Sequence, residues 1–256
     1  MKPSELFNLS EKVAIVTGGA RGLGKIIALA LADAGADVVI ADILFPLAED
    51  VVKEIEAKGN RAIGVKLDVT NADDVQKMVR QVTDHFGKID ILINNAGIQC
   101  ISTAEDFALE DWTRVLDINL TGVFLCSQAV GKTMIGRKKG KIINISSLFG
   151  TIGSPHGAAA YNSSKGGVIN LTKSLAVEWG KYNINVNAIA PGIIETDLTR
   201  KRLEDKEYFD LWIDRTPLER IGKPDDLSGA VIYLASRASD FVTGHTIMID
   251  GGYSVQ

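Results

Sequence analysis

Short apolar runs alternate with amphipathic helical patterns from one end of the chain to the other, and this restricts the fold more than any other feature. Residues 13–16, 38–41, 62–67, 89–93, 141–145, 184–189 and 246–250 read as strands, nearly all apolar on both faces. Strands of that kind belong in a parallel sheet covered by helices on each side. The predicted helices lie between them: one carrying Ile26, Ile27, Leu29 and Leu31 and closed by Gly35, then 49–58, 72–86 capped by Asn71 and closed by Gly87, 110–135, one from the Tyr161 region to Trp179, and 225–235. The predicted fold class is α/β, a single Rossmann-like, doubly wound, seven-stranded parallel sheet. No linker or repeat divides residues 1–256, which read as one catalytic domain.

The first strand runs into Thr17-Gly18-Gly19-Ala20-Arg21-Gly22-Leu23-Gly24, directly before a helix. Glycines there let the backbone turn tightly and approach a pyrophosphate, which would rest on the helix N-terminus. Asp42 ends the second strand, where a carboxylate accepts from ribose hydroxyls and repels a 2′-phosphate. It selects NAD over NADP on this reading, while Arg21 argues for NADP. A capping role for Asp42 ahead of Pro46 is the alternative. Asp68 and Val69 end the third strand, and Asn94, Asn95, Ala96 and Gly97 the fourth. All these clusters fall at strand carboxyl ends, where open α/β sheets bind ligands.

Tyr161 and Lys165 stand one helical turn apart. An ammonium beside a phenol favours the phenolate and lowers its pKa, which makes the pair a tunable proton donor and acceptor. Ser146 and Ser147 follow the fifth strand, and either hydroxyl could emerge at the same edge. Asn119 falls within the long predicted helix, either as a bridge between backbone groups or as part of the chemistry. Pro191 and Gly192 end the sixth strand. Residues 195–216 follow as a charged insert, expected to be a substrate lid or else a solvated surface helix.

Composition closes off other classes. The net charge of −4 offers no basic face for nucleic acid. Residues 26–32, the longest apolar run, are too short to span a bilayer. Cys100 and Cys126 fit no metal-ligand spacing, so no metal is expected. A cytoplasmic protein with a small-molecule substrate is the expectation, with residues 1–12 lacking an apolar signal core.

Taken together, residues 17–24, Asn94 to Gly97, Asn119, Ser147, Tyr161, Lys165, and Pro191-Gly192 to Thr196 closely resemble the short-chain dehydrogenase/reductase family, over nearly the whole chain. The resemblance implies hydride transfer between a nicotinamide and an alcohol or ketone, and a tetrad of Asn119, Ser147, Tyr161 and Lys165. It favours Ser147 over Ser146, since the family's serine stands three residues before a glycine, here Gly150. It implies that Lys165 holds the nicotinamide ribose, that Asn119 anchors a water leading to Lys165, and that Ile194 and Thr196 hold the carboxamide. It also implies a homotetramer joined through the helices 110–135 and 158–179. Residues 147–161 form a slightly longer segment than in many members, and His156 within it is an expected exposed loop residue. Within the family, residues 6–10 and the run from Arg215-Thr216-Pro217-Leu218 to Asp250-Gly251-Gly252 look most like sugar-acid dehydrogenases of the gluconate 5-dehydrogenase and 2-deoxygluconate 3-dehydrogenase types. A carboxylate substrate would want a lid cation, and Arg200, Lys201, Arg202, Lys206 and Arg215 are available, outnumbered by Glu195, Asp197, Glu204, Asp205, Glu207, Asp210 and Asp214. The alternatives are an NADP-dependent 3-oxoacyl-[acyl-carrier-protein] reductase and a non-catalytic NAD-binding regulator.

Overall fold

Seven strands from the described residues pair in parallel in the order β3-β2-β1-β4-β5-β6-β7. The computed structural model describes residues 3–154, 157–196 and 199–256. In chain order the elements are α1 (Pro3–Leu6), β1 (Val13–Thr17), α2 (Gly22–Asp33), β2 (Asp37–Asp42), α3 (Phe45–Glu56), β3 (Ala62–Lys66), α4 (Ala72–Phe86) and β4 (Ile91–Asn94). They continue with α5 (Leu109–Leu116), α6 (Gly122–Arg137), β5 (Gly140–Ile145), α7 (Ala159–Trp179), β6 (Ile184–Pro191), α8 (Arg200–Leu203), α9 (Lys206–Asp214), α10 (Ser228–Ala235) and β7 (Thr246–Ile249).

The alternation of side chains along each strand builds two cores. Ala14, Val16, Val38, Ile40, Ile91 and Ile93 pack against Ile27 and Leu31 of α2, Val51 and Ile55 of α3, and Val231 and Leu234 of α10. Val13, Ile15, Val39, Leu92 and Ile142 face the other way, against Val75, Met78 and Val82 of α4, Cys126 and Val130 of α6, and Leu175 of α7. This is the both-face burial that the apolar runs imply. The chain reverses its direction of growth between β3 and β4, so β1 and β4 lie side by side at the switch point. A crevice opens there beyond the strand carboxyl ends.

Asn71 caps α4 by accepting from the amides of Asp73 and Asp74, and Gly87 closes that helix in the left-handed conformation, as the spacing predicts. Residues 225–227 of the predicted helix 225–235 form part of a 3₁₀ turn ahead of α10, and two further helix expectations need correction. α3 begins at Phe45 with Pro46 in its first turn, not at residue 49, because proline suits a turn whose amides need no partner. The predicted helix 110–135 is interrupted: residues Asp117–Thr121 form a π turn between α5 and α6. Such a turn re-aims side chains and is common at functional sites. Asn119 sits at its centre.

Candidate active site

The glycine-rich turn shows why glycines are needed. Gly18 has φ 64°, and a Cβ on Gly24 would lie 2.1 Å from the Gly18 carbonyl oxygen and 2.5 Å from the Asn95 side-chain Nδ2. The loop therefore folds back onto the first turn of α2, which carries no side-chain cap. Free amides at a helix N-terminus and a bare backbone surface fit the pyrophosphate of a dinucleotide. Thr17 locks this arrangement: its hydroxyl donates to the Ile93 carbonyl at 3.3 Å and accepts from the amides of Asn95 and Ala96 at 3.1 and 3.2 Å. The Asn95 side-chain Nδ2 in turn donates to the carbonyls of Thr17 and Gly18, both at 3.0 Å.

Asp42 is 7% exposed at the end of β2. Its carboxylate accepts from the Ala20 amide at 3.0 Å and the Leu44 amide at 2.9 Å. It thus ties β2 to the glycine-rich turn, and it uses two of roughly four acceptor positions. Leu44 stands at the cap position of α3 and its side chain caps nothing, so the capping alternative for Asp42 reduces to the single bond it accepts from the Leu44 amide. The next residue, Ile43, is 59% exposed, so no cation follows the carboxylate. Asp68 spends one carboxylate oxygen on the amide and hydroxyl of Thr70.

At the chemical end, Tyr161 lies in the first turn of α7 and Lys165 one turn on, buried. Lys165 Nζ donates to the Ile145 carbonyl at 2.7 Å and lies 5.6 Å from the centroid of the Tyr161 ring. Burial pushes the Tyr161 phenol above its ordinary value, opposed by a hydrogen bond with Ser147. Burial pulls Lys165 down to about 8. The expected lowering of the phenol by the ammonium is therefore corrected. Lys165 is engaged by a backbone carbonyl, and desolvation governs Tyr161.

The two serines separate cleanly. Ser146 donates to the Lys165 carbonyl at 2.8 Å and braces α7. Ser147 accepts from the Phe149 amide at 3.2 Å and shares a hydrogen bond with Tyr161. Asn119 has the bridging role: its side chain accepts from the Ile98 amide at 2.8 Å and donates to the Ile98 carbonyl at 2.9 Å and to Ser164 Oγ at 3.1 Å. A Cβ on Gly97 would lie 3.3 Å from Asn119 Oδ1 and 3.6 Å from Lys165 Nζ, so both side chains lean on the same bare backbone.

One cleft of about 540 Å³ gathers these groups. It is lined by Gly18, Arg21, Gly22, Leu23, Gly24, Asp42, Asp68, Val69, Asn95, Ala96, Gly97, Ser147, Tyr161, Lys165, Pro191, Gly192, Ile194 and Thr196. Every predicted site residue is there except Asn119, which stands directly behind Ile98. Sequence reasoning quoted Thr17 without giving it a role and passed over Ser164; a hydroxyl ending β1 and one inside the Tyr161–Lys165 turn were the available signals. It also missed a buried chain in which Asn94 donates to Ser127 and Asn144, and Asn144 to Thr172. No local pattern announces a network spread over four elements.

The charged insert after β6 carries α8 and α9. A turn in which Thr199 Oγ1 donates to the Ile194 carbonyl leads into α8. α9 buries Trp212 against Phe149, Tyr208 and Tyr253, with ring centroids 5.7, 6.0 and 4.9 Å away, while Lys206 and Asp210 pair on its exposed face. His156 and Asp197 lie outside the described residues. Among the described residues, no group of His, Cys, Asp or Glu could hold a metal ion, and no helix is long and apolar enough to cross a membrane.

Known proteins resemble this chain over nearly its whole length. The family model described as enoyl-(acyl carrier protein) reductase matches residues 18–254. A 3-oxoacyl-[acyl-carrier-protein] reductase of Synechocystis sp. is 44% identical over 246 residues, covering 95% of this chain and 97% of that protein. Gluconate 5-dehydrogenase of Gluconobacter oxydans is 41% identical over 255 residues, 100% of this chain and 99% of that protein. The crystal structure of a gluconate 5-dehydrogenase from Burkholderia cenocepacia, in complex with NADP and tartrate, superposes with a TM-score of 0.96 at 39% identity, covering 100% of both chains.

Proposed function

The chain belongs to the short-chain dehydrogenase/reductase family, and on that premise we propose that it is a cytoplasmic, NAD-dependent oxidoreductase of sugar acids. The observation that carries the reading is the meeting of a dinucleotide cradle with Ser147, Tyr161 and Lys165 in one cleft. The cradle residues Gly18, Arg21, Gly22, Leu23 and Gly24 would hold the pyrophosphate, Asp42 the adenosine ribose, Asp68 and Val69 the adenine, and Ile194 and Thr196 the carboxamide. When bound, the nicotinamide supplies the hydride acceptor or donor.

The chain's own groups manage the proton and the oxygen. In oxidation Tyr161 takes the hydroxyl proton; in reduction it returns one. Ser147 donates to the substrate oxygen and stabilises the charge that develops there. Lys165 sits one turn behind, at a pKa of about 8, placed to exchange protons with the phenol and to hold the nicotinamide ribose. Asn119 steadies Ile98 and Ser164 on either side of that path, and in the proposed relay it anchors the water that leads to Lys165.

NAD is favoured because the buried Asp42 carboxylate stands at the end of β2 and an exposed Ile43 follows it. A 2′-phosphate would meet a negative charge there without a neighbouring cation on that strand. The sugar acid is favoured by relatives named gluconate 5-dehydrogenase and 5-keto-D-gluconate 5-reductase, at 41% and 40% identity. A second reading, an NADP-dependent 3-oxoacyl-[acyl-carrier-protein] reductase, is supported by the Synechocystis relative and by Arg21 at the glycine-rich turn, and NADP use with either substrate is supported by the NADP-bound Burkholderia structure. We also propose a homotetramer, its contacts drawn from the exposed Leu109, Phe124 and Val177 on α5, α6 and α7.

The test is a nicotinamide absorbance assay with NAD and, separately, NADP. The panel holds gluconate, 2-deoxygluconate, polyols and an oxoacyl thioester. NAD-linked oxidation of a sugar acid is the expected result. NADPH-linked reduction of the thioester alone would replace this reading with the second one.

A further inference from the structure

The lid's cations differ sharply in their surroundings. Arg200, Lys201 and Arg215 are exposed, and Lys206 is paired with Asp210. Arg202 is half-buried, and its guanidinium donates to the Gln99 side-chain carbonyl at 3.2 Å. Among the described residues no carboxylate pairs with it. A half-buried guanidinium with only a neutral partner is poorly compensated, and an amide oxygen occupies at most a fraction of its five donors.

Its location gives the charge a purpose. Gln99 is the neighbour of Ile98, which lines the cleft and whose backbone Asn119 clamps on both sides. On the lid side, the Arg202 amide donates to the carbonyl of Thr199, another residue lining the cleft. Arg202 therefore bridges the lid to the loop after β4, beside the cleft that holds Tyr161. The fork of a guanidinium matches a carboxylate in plane and spacing.

We propose that Arg202 is the residue that receives the substrate's carboxylate, and that Gln99 is the positioning residue that aims it. This rests on the sugar-acid reading and deepens it: specificity for an acid over a neutral polyol would reside in this lid-to-loop pair. A neutral amide is suited to the aiming role, since it holds the guanidinium without cancelling the charge the substrate must meet.

The experiment measures kcat and KM for gluconate with the wild-type enzyme and with Arg202→Ala and Gln99→Glu, together with NAD affinity. Arg202→Ala should raise the gluconate KM about 50-fold, the range for losing a hydrogen bond to a charged group, with NAD affinity unchanged. Gln99→Glu keeps the lid contact and strengthens it, but supplies an internal carboxylate that competes with the substrate. It should raise the gluconate KM by a similar factor. A purely structural role would leave the KM of Gln99→Glu at the wild-type value or below, and that result overturns the assignment. So does an unchanged KM in Arg202→Ala. If the wild-type enzyme acts on no sugar acid while it reduces an oxoacyl thioester, the sugar-acid reading itself falls, and the assignment with it.

Discussion

Tyr161 and Lys165 are driven in opposite directions by the same burial, the phenol upward and the ammonium down to about 8. A proton lost from the pair at mildly alkaline pH therefore leaves from Lys165 before Tyr161. Oxidation needs the pair to accept a proton, so its rate should climb as pH rises from neutrality through about 8. Reduction needs the phenol protonated and should not gain over that interval. pH–rate profiles in both directions check this, and a flat oxidation profile would assign proton transfer to another group. Tyr161→Phe should lower kcat by about a thousandfold, within the usual range for general acid–base groups, while calorimetry shows NAD affinity nearly intact. The residue identities at this site were legible because their spacing is local: a Tyr and a Lys one turn apart, glycines between a strand and a helix. What each side chain touches was not. Only the fold shows that Ser146 braces the Lys165 carbonyl and that Lys165 Nζ is taken up by Ile145.

At the scale of elements, the π turn at residues Asp117–Thr121 is where sequence and structure part. The apolar pattern from 110 to 135 satisfies a helix of ordinary pitch, and one extra residue in a turn barely disturbs that periodicity. The reason for the turn is nonlocal: it presents the Asn119 side chain to the Ile98 backbone and to Ser164. Removing that side chain leaves the partly buried backbone groups of Ile98 without that partner, and Asn119→Ala should lower stability by about 1–2 kcal/mol. Denaturant unfolding measures the loss. The same variant should also reduce kcat, because Ile98 borders the cleft and Ser164 lies in the turn between Tyr161 and Lys165. A variant with full stability and full kcat would mean the Asn119 bridge is dispensable. Strand-helix alternation itself was legible almost throughout, with errors of a few residues at ends such as the start of α3. The order of strands was not, since seven apolar runs of similar length carry nothing that distinguishes neighbours in the sheet.

Across the whole molecule, the end of the sheet opposite the cleft is closed by Asp90, which sequence reasoning placed inside an apolar run and gave no role. It is 4% exposed. Its carboxylate accepts from the Val13 amide at the start of β1 and from Arg137 in the last turn of α6, with Lys88 at 3.5 Å. Arg137 also donates to the Ile89 carbonyl at 2.7 Å. One carboxylate thus joins β1, α6 and the approach to β4. Burial alone would raise its pKa, but the bonds from Arg137 and Val13 and the charges of Arg137 and Lys88 outweigh it, and the value falls below the ordinary carboxylate range. A group depressed in the folded state stabilises above its unfolded pKa, near 3.9, and loses that stabilisation as pH falls through the folded value. Asp90→Asn keeps the shape but removes the charge, and it should cost about 2 kcal/mol at neutral pH, the scale of a hydrogen bond to a charged group. The difference between wild type and variant should shrink as pH drops below the unfolded value, because the wild-type carboxyl is then being protonated too. Urea unfolding at neutral and strongly acid pH measures both quantities. A gap that stayed constant with pH would mean that Asp90 contributes through packing and not through its charge. Nucleotide affinity should be untouched in either case, since Asp90 lies at the amino end of the sheet and the cradle at its carboxyl end.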